Sequence, residues 1–269
     1  MGTIITDIAT HADLVWNLVA RDLKIRYRGS VLGLLWTFLN PLFMAVIYIV
    51  FLRLLSRGIA NQYENIIIGV FAWQFTMQCV NAGIHCITGN ATLVQKVYFP
   101  RIILPASVNL SALVNFLLTL LVQWVLLTVI LLWTHHGFLK AGALAVPLLS
   151  LYHLLFNFAL SLLVAVANVH FRDTQHIVGL LTSAWFFMSP VMYPLSMVER
   201  VAAAHPWVAQ VYMLNPMTGI LTAYRALQIP GVAFPWSPAS VAGLLLPVLI
   251  LAAACRIFIR AERQFSELL

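Results

Sequence analysis

Side chains able to do chemistry are few in this chain, and their spacing does not assemble a reactive site. A phosphate cradle would need Gly-x-x-x-x-Gly-Lys followed by Ser or Thr after a strand, and the sequence contains no such run. If ATP drives this protein, a separate chain must bind it. His135 and His136 are adjacent, so on a helix they would diverge by about 100° and make a poor shared ligand pair. His85 and His153 are single residues inside apolar runs, where structural hydrogen bonding is the expected role. Cys79, Cys86 and Cys255 lack metal-ligand spacing and read as small apolar packing residues. Carrier proteins driven by ion gradients usually bury an Asp or Glu for the coupling ion, or use broken helices whose carbonyls serve instead. No carboxylate falls inside any apolar run here. Neither a catalytic residue nor a metal ligand is expected from this chain, and no cofactor of its own.

The elements that carry these residues belong to a membrane. Of 269 residues, 62% are apolar and only 9% charged, and the mean hydropathy is +0.94. A soluble domain of this length would need roughly a quarter of its residues charged to cover its surface, so most of this surface is expected to meet lipid. The net charge of +7 and pI near 9.7 do not signal nucleic acid, because the basic residues cluster beside apolar runs instead of forming a basic domain.

A spanning helix needs about 20 apolar residues. Runs free of Asp, Glu, Lys and Arg occur at 31–52, 66–87, 102–133, 144–169, 177–193 and 240–255. They predict an all-α membrane protein of six transmembrane helices in a single domain, 1–269. It would comprise a cytoplasmic interface segment (1–30), a six-span bundle (31–258) and a cytoplasmic tail (259–269). The third run exceeds one span, and Pro105 suggests a helix proper that begins near Val108. Asp7, His11 and Asp13 precede a mixed stretch without the pattern of a cleavable signal, so the first run is expected to be retained.

Cytoplasmic segments retain Lys and Arg. With both termini inside, the cytoplasmic set is Arg21, Lys24, Arg26, Arg28, Lys96, Arg101, Arg172, Arg256, Arg260 and Arg263. The opposite set is Arg53, Arg57, Lys140, Arg200 and Arg225. The ratio of ten to five predicts cytoplasmic termini.

Four connections are more than simple loops. Over 13–27, Leu14, Leu18 and Ile25 recur at helical spacing, with Trp16, Leu23 and Tyr27 as a flanking stripe, which predicts an amphipathic helix lying in the membrane interface. Between runs two and three, Gly89 and Asn90 offer a cap, Leu93, Val94 and Val97 an apolar face, and Pro100 a stop, which predicts a short cytoplasmic helix. A tight turn is expected over 170–176. The segment 194–238 is too apolar for a hydrated loop and is broken by Pro206, Pro216, Pro230 and Pro235, so one or two short outer-face helices are expected there.

Several of these stretches have a recognisable form. Arg21-Asp22-Leu23-Lys24, Arg26-Tyr27-Arg28-Gly29-Ser30, Leu32-Gly33, Leu35-Trp36 and Pro41-Leu42 resemble the amino-terminal signature of ABC transporter permeases that export O-antigen, capsule or teichoic acid polymers. Phe99-Pro100 with Pro105, Phe171-Arg172-Asp173, the run Ser189-Pro190-Val191-Met192-Tyr193-Pro194, Asn215-Pro216-Met217 with Arg225, and Glu262-Arg263-Gln264-Phe265 with Glu267-Leu268 are similar to the same family.

The resemblance implies a homodimeric channel in a bacterial plasma (inner) membrane. It implies two copies of a separate cytoplasmic ATPase that holds ATP and Mg, and a lipid-linked glycan moving outward between the permeases. It also implies that the amino-terminal helix and the helix between spans two and three touch the ATPase. Arg21, Asp22, Lys24, Arg26, Asn90, Leu93, Val94 and Lys96 are therefore the coupling candidates. The basic cluster would in any case meet anionic lipid headgroups.

Spans one and five would line the pore. Their aromatics Trp36, Phe38, Phe43, Tyr48 and Phe51, and Trp185, Phe186, Phe187 and Tyr193, have two readings: interfacial anchors, or a wall on which the apolar faces of sugar rings slide. A permease of like architecture carrying a drug or lipid, and an ion-coupled transporter or channel, are the competing classes.

Overall fold

The computed structural model describes residues 2–27, 35–55, 63–134, 137–202 and 206–268. Arg28, Gly29, Gly33, Arg57, His135 and His136 lie outside them. Every regular element among the described residues is helical. In chain order they are α1 (Gly2–Thr10), α2 (Ala12–Tyr27), α3 (Leu35–Leu55), α4 (Tyr63–His85), α5 (Ala91–Lys96), α6 (Ile103–Trp133), α7 (Val146–His170), α8 (Thr174–Phe187), α9 (Leu195–Ala202), α10 (Pro206–Met213), α11 (Pro216–Gln228), α12 (Pro238–Ala261) and α13 (Phe265–Leu268).

Four helical stretches are long and apolar enough to cross a bilayer: Tyr63–His85, Ile103–Trp133, Ala141–His170 and Pro238–Gln264. α3 adds a shorter apolar stretch, Phe38–Ile47. The fifth run folds as a helix of only 14 residues, α8, about 21 Å at 1.5 Å per residue and short of the roughly 30 Å of hydrocarbon. Its remaining residues, 188–193, leave the helix and run on as turns past Trp73 toward Gly69 and Asn65 at the start of α4.

Local chemistry sets the helix ends. Pro105 sits in the first turn of α6, where a backbone N–H has no intrahelical partner to lose. The helix therefore begins at Ile103 and not near Val108. Asn215 caps α11 by accepting from the Met217 amide, with Pro216 next. Ser237 and Ser240 cap α12 reciprocally, with Pro238 in its first turn. The proline-broken segment yields three short helices, α9, α10 and α11, where one or two were expected.

α4, α6, α7 and α12 form the bundle. One apolar core gathers Phe71, Phe75, Phe116, Phe156 and Tyr224 near α11, and a second gathers Val19, Ile87, Val94, Phe258 and Phe265 near α2 and α5. All three cysteines are buried, and none forms a disulfide among the described residues.

Polar side chains tie the apolar helices together. Thr76 Oγ1 and His153 Nε2 lie 2.8 Å apart, and Gln123 Nε2 donates to Gln228 Oε1 at 2.8 Å. Ser161 Oγ donates to the Cys79 carbonyl at 2.9 Å. Between apolar helices in lipid, such bonds and close backbone approach replace the hydrophobic effect as the source of association. At Gly83 a Cβ would meet the Ser161 Cα at 2.8 Å, whereas one at Gly89 would meet nothing within 4 Å. Gly83→Val should therefore force α4 and α7 apart at a cost of about 1–3 kcal/mol, seen as a lowered Tm of the purified protein, while Gly89→Val should leave Tm unchanged. Equal Tm values for the two variants would show that the helices do not need this contact.

Two faces differ from those the spacing predicts. α2 turns Val15, Leu18 and Val19 inward against α6, and Trp16, 66% exposed, and Ile25 point away. Of the predicted stripe, Leu18 is buried there and Leu14 packs half-buried against the same core, whereas Ile25 is exposed. On α5, Val94 is 2% exposed and belongs to the second core with Phe99 and Phe265. Leu93 is half-buried against that core. The face left open there is polar, followed by Val97 and by Tyr98, which is 98% exposed.

Candidate functional site

Trp73 of α4 is buried and forms the centre of an aromatic array. Its ring meets Trp185 edge-on at 5.3 Å and Phe186 at 5.4 Å, both from α8. Phe156 of α7 backs Trp185 at 5.9 Å, and Phe187 stands perpendicular to Phe186 at 5.2 Å. Edge-to-face contacts of this kind fix ring orientations as well as burying area. In front of the array runs a groove of about 300 Å³ lined by Met44 of α3, Val70, Trp73, Gln74 and Met77 of α4, and Thr182, Ser183, Phe186 and Phe187 of α8. Thr182 and Ser183 spend their hydroxyl protons on the carbonyls of Val178 and Gly179, each at 2.7 Å. The groove thus offers ring faces and edges, two hydroxyl acceptors and the Gln74 amide. Among the described residues there is no group of three His, Cys, Asp or Glu placed to hold a metal. Such a surface can hold flat, partly apolar molecules and let them move.

Asn215, the cap of α11, and Arg225 within that helix build the end of this wall. Asn215 Oδ1 accepts from Trp185 Nε1 at 3.1 Å, and its amide donates to Ser189 Oγ at 2.9 Å and to the Met188 carbonyl at 3.3 Å. Arg225, 2% exposed, donates to the carbonyls of Asn65 (3.0 Å), Val191 (3.1 Å), Tyr193 (3.1 Å) and Pro190. Gly69 of α4 packs directly on the Val191 carbonyl, leaving no room for a Cβ. The Arg225 guanidinium therefore ties the segment 189–194 to α4, and Asn215 and Tyr212 hold its two ends. Burial pulls the pKa of Arg225 down to about 10, which leaves it charged at neutral pH. Tyr193 lies beyond α8, with its hydroxyl 2.6 Å from that of Tyr212 and donating to the Phe187 carbonyl at 2.8 Å.

Of the residues singled out as a wall, Phe186 and Phe187 line the groove, and Phe187 is 67% exposed. Trp185 is turned toward Asn215 and the core. Trp36 and Phe43 are exposed on α3 and Phe38 is half-buried there, but none of them lines the groove. The side chains of Tyr48 and Phe51 lie outside the described residues. Spacing along α3 and α8 missed Trp73 and Gln74; the signal available was on α4 itself, where Gln74, Gln78 and Asn81 recur at helical spacing and mark its less buried face. Arg225 carried a usable signal: it is an isolated charge in an apolar segment, and such charges are usually partnered and functional.

At the opposite end, Arg21 of α2 donates to Asn90 Oδ1 at 3.1 Å and pairs with Asp22 at 3.3 Å. Asn90 Nδ2 in turn donates to the Cys86 carbonyl at 2.9 Å. This chain of contacts joins α2 to the link between α4 and α5, so three of the coupling candidates sit together. Lys24 and Lys96 are exposed close by in sequence, and the side chain of Arg26 lies outside the described residues.

Comparison with known proteins agrees with this architecture. A family model described as ABC-2 type transporter matches residues 13–229. The chain is 36% identical over 269 residues to the O-antigen export system permease protein RfbA of Myxococcus xanthus, covering 99% of each chain. It is 28% identical over 260 residues to a protein of the same name from Klebsiella pneumoniae, covering 96% of this chain and 95% of that one. The family match spans both the α2 helix with its tie to Asn90 and the α8–α11 clamp, and this chain belongs to the ABC-2 type transporter family of membrane permeases.

Proposed function

We propose that this chain is the permease subunit of an ATP-driven exporter that carries a lipid-linked polysaccharide of the O-antigen type outward across a bacterial inner membrane. The observation that carries this reading is the 36% identity, over 99% of both chains, with an O-antigen export permease. The aromatic groove supports it, because ring faces hold the apolar faces of successive sugars without binding any one tightly. In this reading two copies form the channel, with α3 and α8 of each lining it. α8 and the segment 188–193 that follows it together supply the fifth crossing and α3 the first, for six in all. A separate cytoplasmic ATPase, with ATP and Mg, docks at the end that carries α2 and α5. Both termini are cytoplasmic, and α2 lies in the membrane interface.

Deleting the gene should leave the lipid-linked glycan trapped inside the cell and the surface bare, and the Phe186→Ala, Phe187→Ala double variant should restore export only in part at normal protein level. Full surface glycan in the deletion strain would overturn the proposal, as would efflux of a drug or free lipid as the only phenotype. For orientation, Lys140→Cys should react with an impermeant thiol reagent added to intact cells and Lys96→Cys should not; the reverse pattern would invert the topology.

A further inference from the structure

α5 is six residues long, less than two turns, and a helix so short does not hold itself together in water. Contacts outside it must therefore fix its place. At its start, Asn90 accepts from Arg21 and donates to the Cys86 carbonyl. Within it, Val94 is the one buried side chain. Val94 belongs to the core that also holds Val19, Phe99, Phe258 and Phe265, so part of what seats α5 lies about 170 positions further along the chain.

That part is built by the segment 262–268. After α12 the chain makes one 3-10 turn, Glu262–Gln264, and then α13, which touches both α5 and α7. Phe265 is completely buried, and its ring meets that of Phe258 on α12 edge-on at 5.5 Å. Beside it, Gln264 Oε1 lies 3.4 Å from Nε2 of His170, the last residue of α7. Glu262 stands within electrostatic range of Arg101, shortly after α5, as well as of Asp7 and Arg263. Phe265 is the first residue past the last apolar stretch long enough to span, Pro238–Gln264. Its burial therefore serves the end of the bundle, where α5, α7 and α12 meet. The side of α5 away from this core carries exposed Lys96, followed by exposed Val97 and Tyr98. A turn of α5 about its single buried side chain would re-aim all three.

We propose that Phe265 is a positioning residue for the ATPase: by completing the core on which Val94 sits, it fixes α5 in the orientation that presents Lys96, Val97 and Tyr98 to the partner. The identity of the partner rests on the exporter reading above, whereas the seating of α5 by Phe265 does not depend on what is carried.

The test compares the full-length permease with Phe265→Ala, Phe265→Val, Phe265→Leu and Leu251→Ala in lipid nanodiscs, together with the ATPase that copurifies with the parent. Amide exchange is followed peptide by peptide, and ATPase affinity is measured per mole of folded permease. In Phe265→Ala the amides of 91–97 should exchange faster by about tenfold or more, while those in the middle of α4 and α6 keep the parent rate. ATPase affinity should fall by about tenfold. Phe265→Val should show the same local pattern at smaller amplitude, and it carries the test if the alanine variant is not recovered folded. Phe265→Leu, which keeps most of the apolar filling, should lie near the parent. Leu251→Ala removes bulk from the same core in the middle of α12. It should lower Tm but leave exchange at 91–97 and ATPase affinity at parent values, whereas a merely structural role for Phe265 would make the two alanine variants alike.

Parent-like exchange at 91–97 in Phe265→Ala and Phe265→Val would overturn the proposal. So would local opening there with unchanged ATPase affinity, or faster exchange throughout the bundle. A parent permease with which no ATPase copurifies would instead sink the exporter reading, and the exchange result would still decide whether Phe265 seats α5.

Discussion

Arg225→Met is expected to yield a permease that inserts but is extracted with a Tm well below that of the parent, and that no longer exports. The guanidinium binds four backbone carbonyls from two separate parts of the chain, and no other side chain among the described residues links Asn65 to the 189–194 segment by a hydrogen bond. Two effects oppose one another. Removing a buried cation relieves its desolvation, which works in favour of the variant. It also leaves buried carbonyls without donors at about 1–3 kcal/mol each, in a segment that has no regular ladder to fall back on. With four acceptors involved the second effect wins, and a net loss on the order of 3–5 kcal/mol is expected.

Arg225→Lys should recover little. An ammonium is a compact charge with three donors and cannot span carbonyls that a planar five-donor fork bridges. Because the segment also ends the aromatic wall, Phe187 should become more accessible in both variants, read as faster labelling of a cysteine placed there. A Tm and labelling rate in Arg225→Met equal to those of the parent would remove the clamp from the account.

Val94→Asp and Tyr98→Asp should fail in opposite ways, although both lie near the same short helix. Val94 packs in the core with Phe99 and Phe265, so a carboxylate there is buried without a partner. The loss should be several kcal/mol, seen as low membrane levels of the permease itself. Tyr98 stands free, so its replacement costs the fold little. If α5 and its flank meet the ATPase, Tyr98 and Val97 are the apolar anchors available, with Lys96 as a rim charge that sets register. Tyr98→Asp should then leave membrane levels normal while recovery of the ATPase with the tagged permease falls by tenfold or more, about 1.4 kcal/mol or above. Normal ATPase recovery and export in Tyr98→Asp would move the contact elsewhere. Normal levels of Val94→Asp would show that α5 does not pack as described. Of the coupling candidates that the resemblance implied, Val94 is buried in the bundle and Leu93 packs half-buried against it.

The sequence by itself determined the class and the placement of the long helices. A chain 62% apolar with six charge-free runs has to satisfy its backbone internally in lipid, and helices do so one segment at a time. The runs at 66–87, 102–133, 144–169 and 240–255 accordingly coincide with α4, α6, α7 and α12. Short-range signals also worked: Pro100 and Asn90 bracket α5, and 13–27 is helical. Which side of a helix faces inward was legible only in part. In water a polar face marks the exterior, but in lipid both sides of a helix can be apolar and a polar stripe can face either a groove or another helix, so Gln74, Gln78 and Asn81 on α4 did not by themselves say which they meet.

Even on α2, where a polar face exists, the buried set of Val15, Leu18 and Val19 is rotated from the one that spacing favours, because packing against α6 decided it. Arg225 is the sharpest case. Counted along the chain it is one more positive charge in a loop between spans. Only the folded chain, by bringing residues 65, 190, 191 and 193 around it, makes it the tie between α4, α11 and the end of α8: its isolation marked it as a charge in need of partners, but a hydrogen bond across 160 positions leaves no local pattern from which those partners could be read.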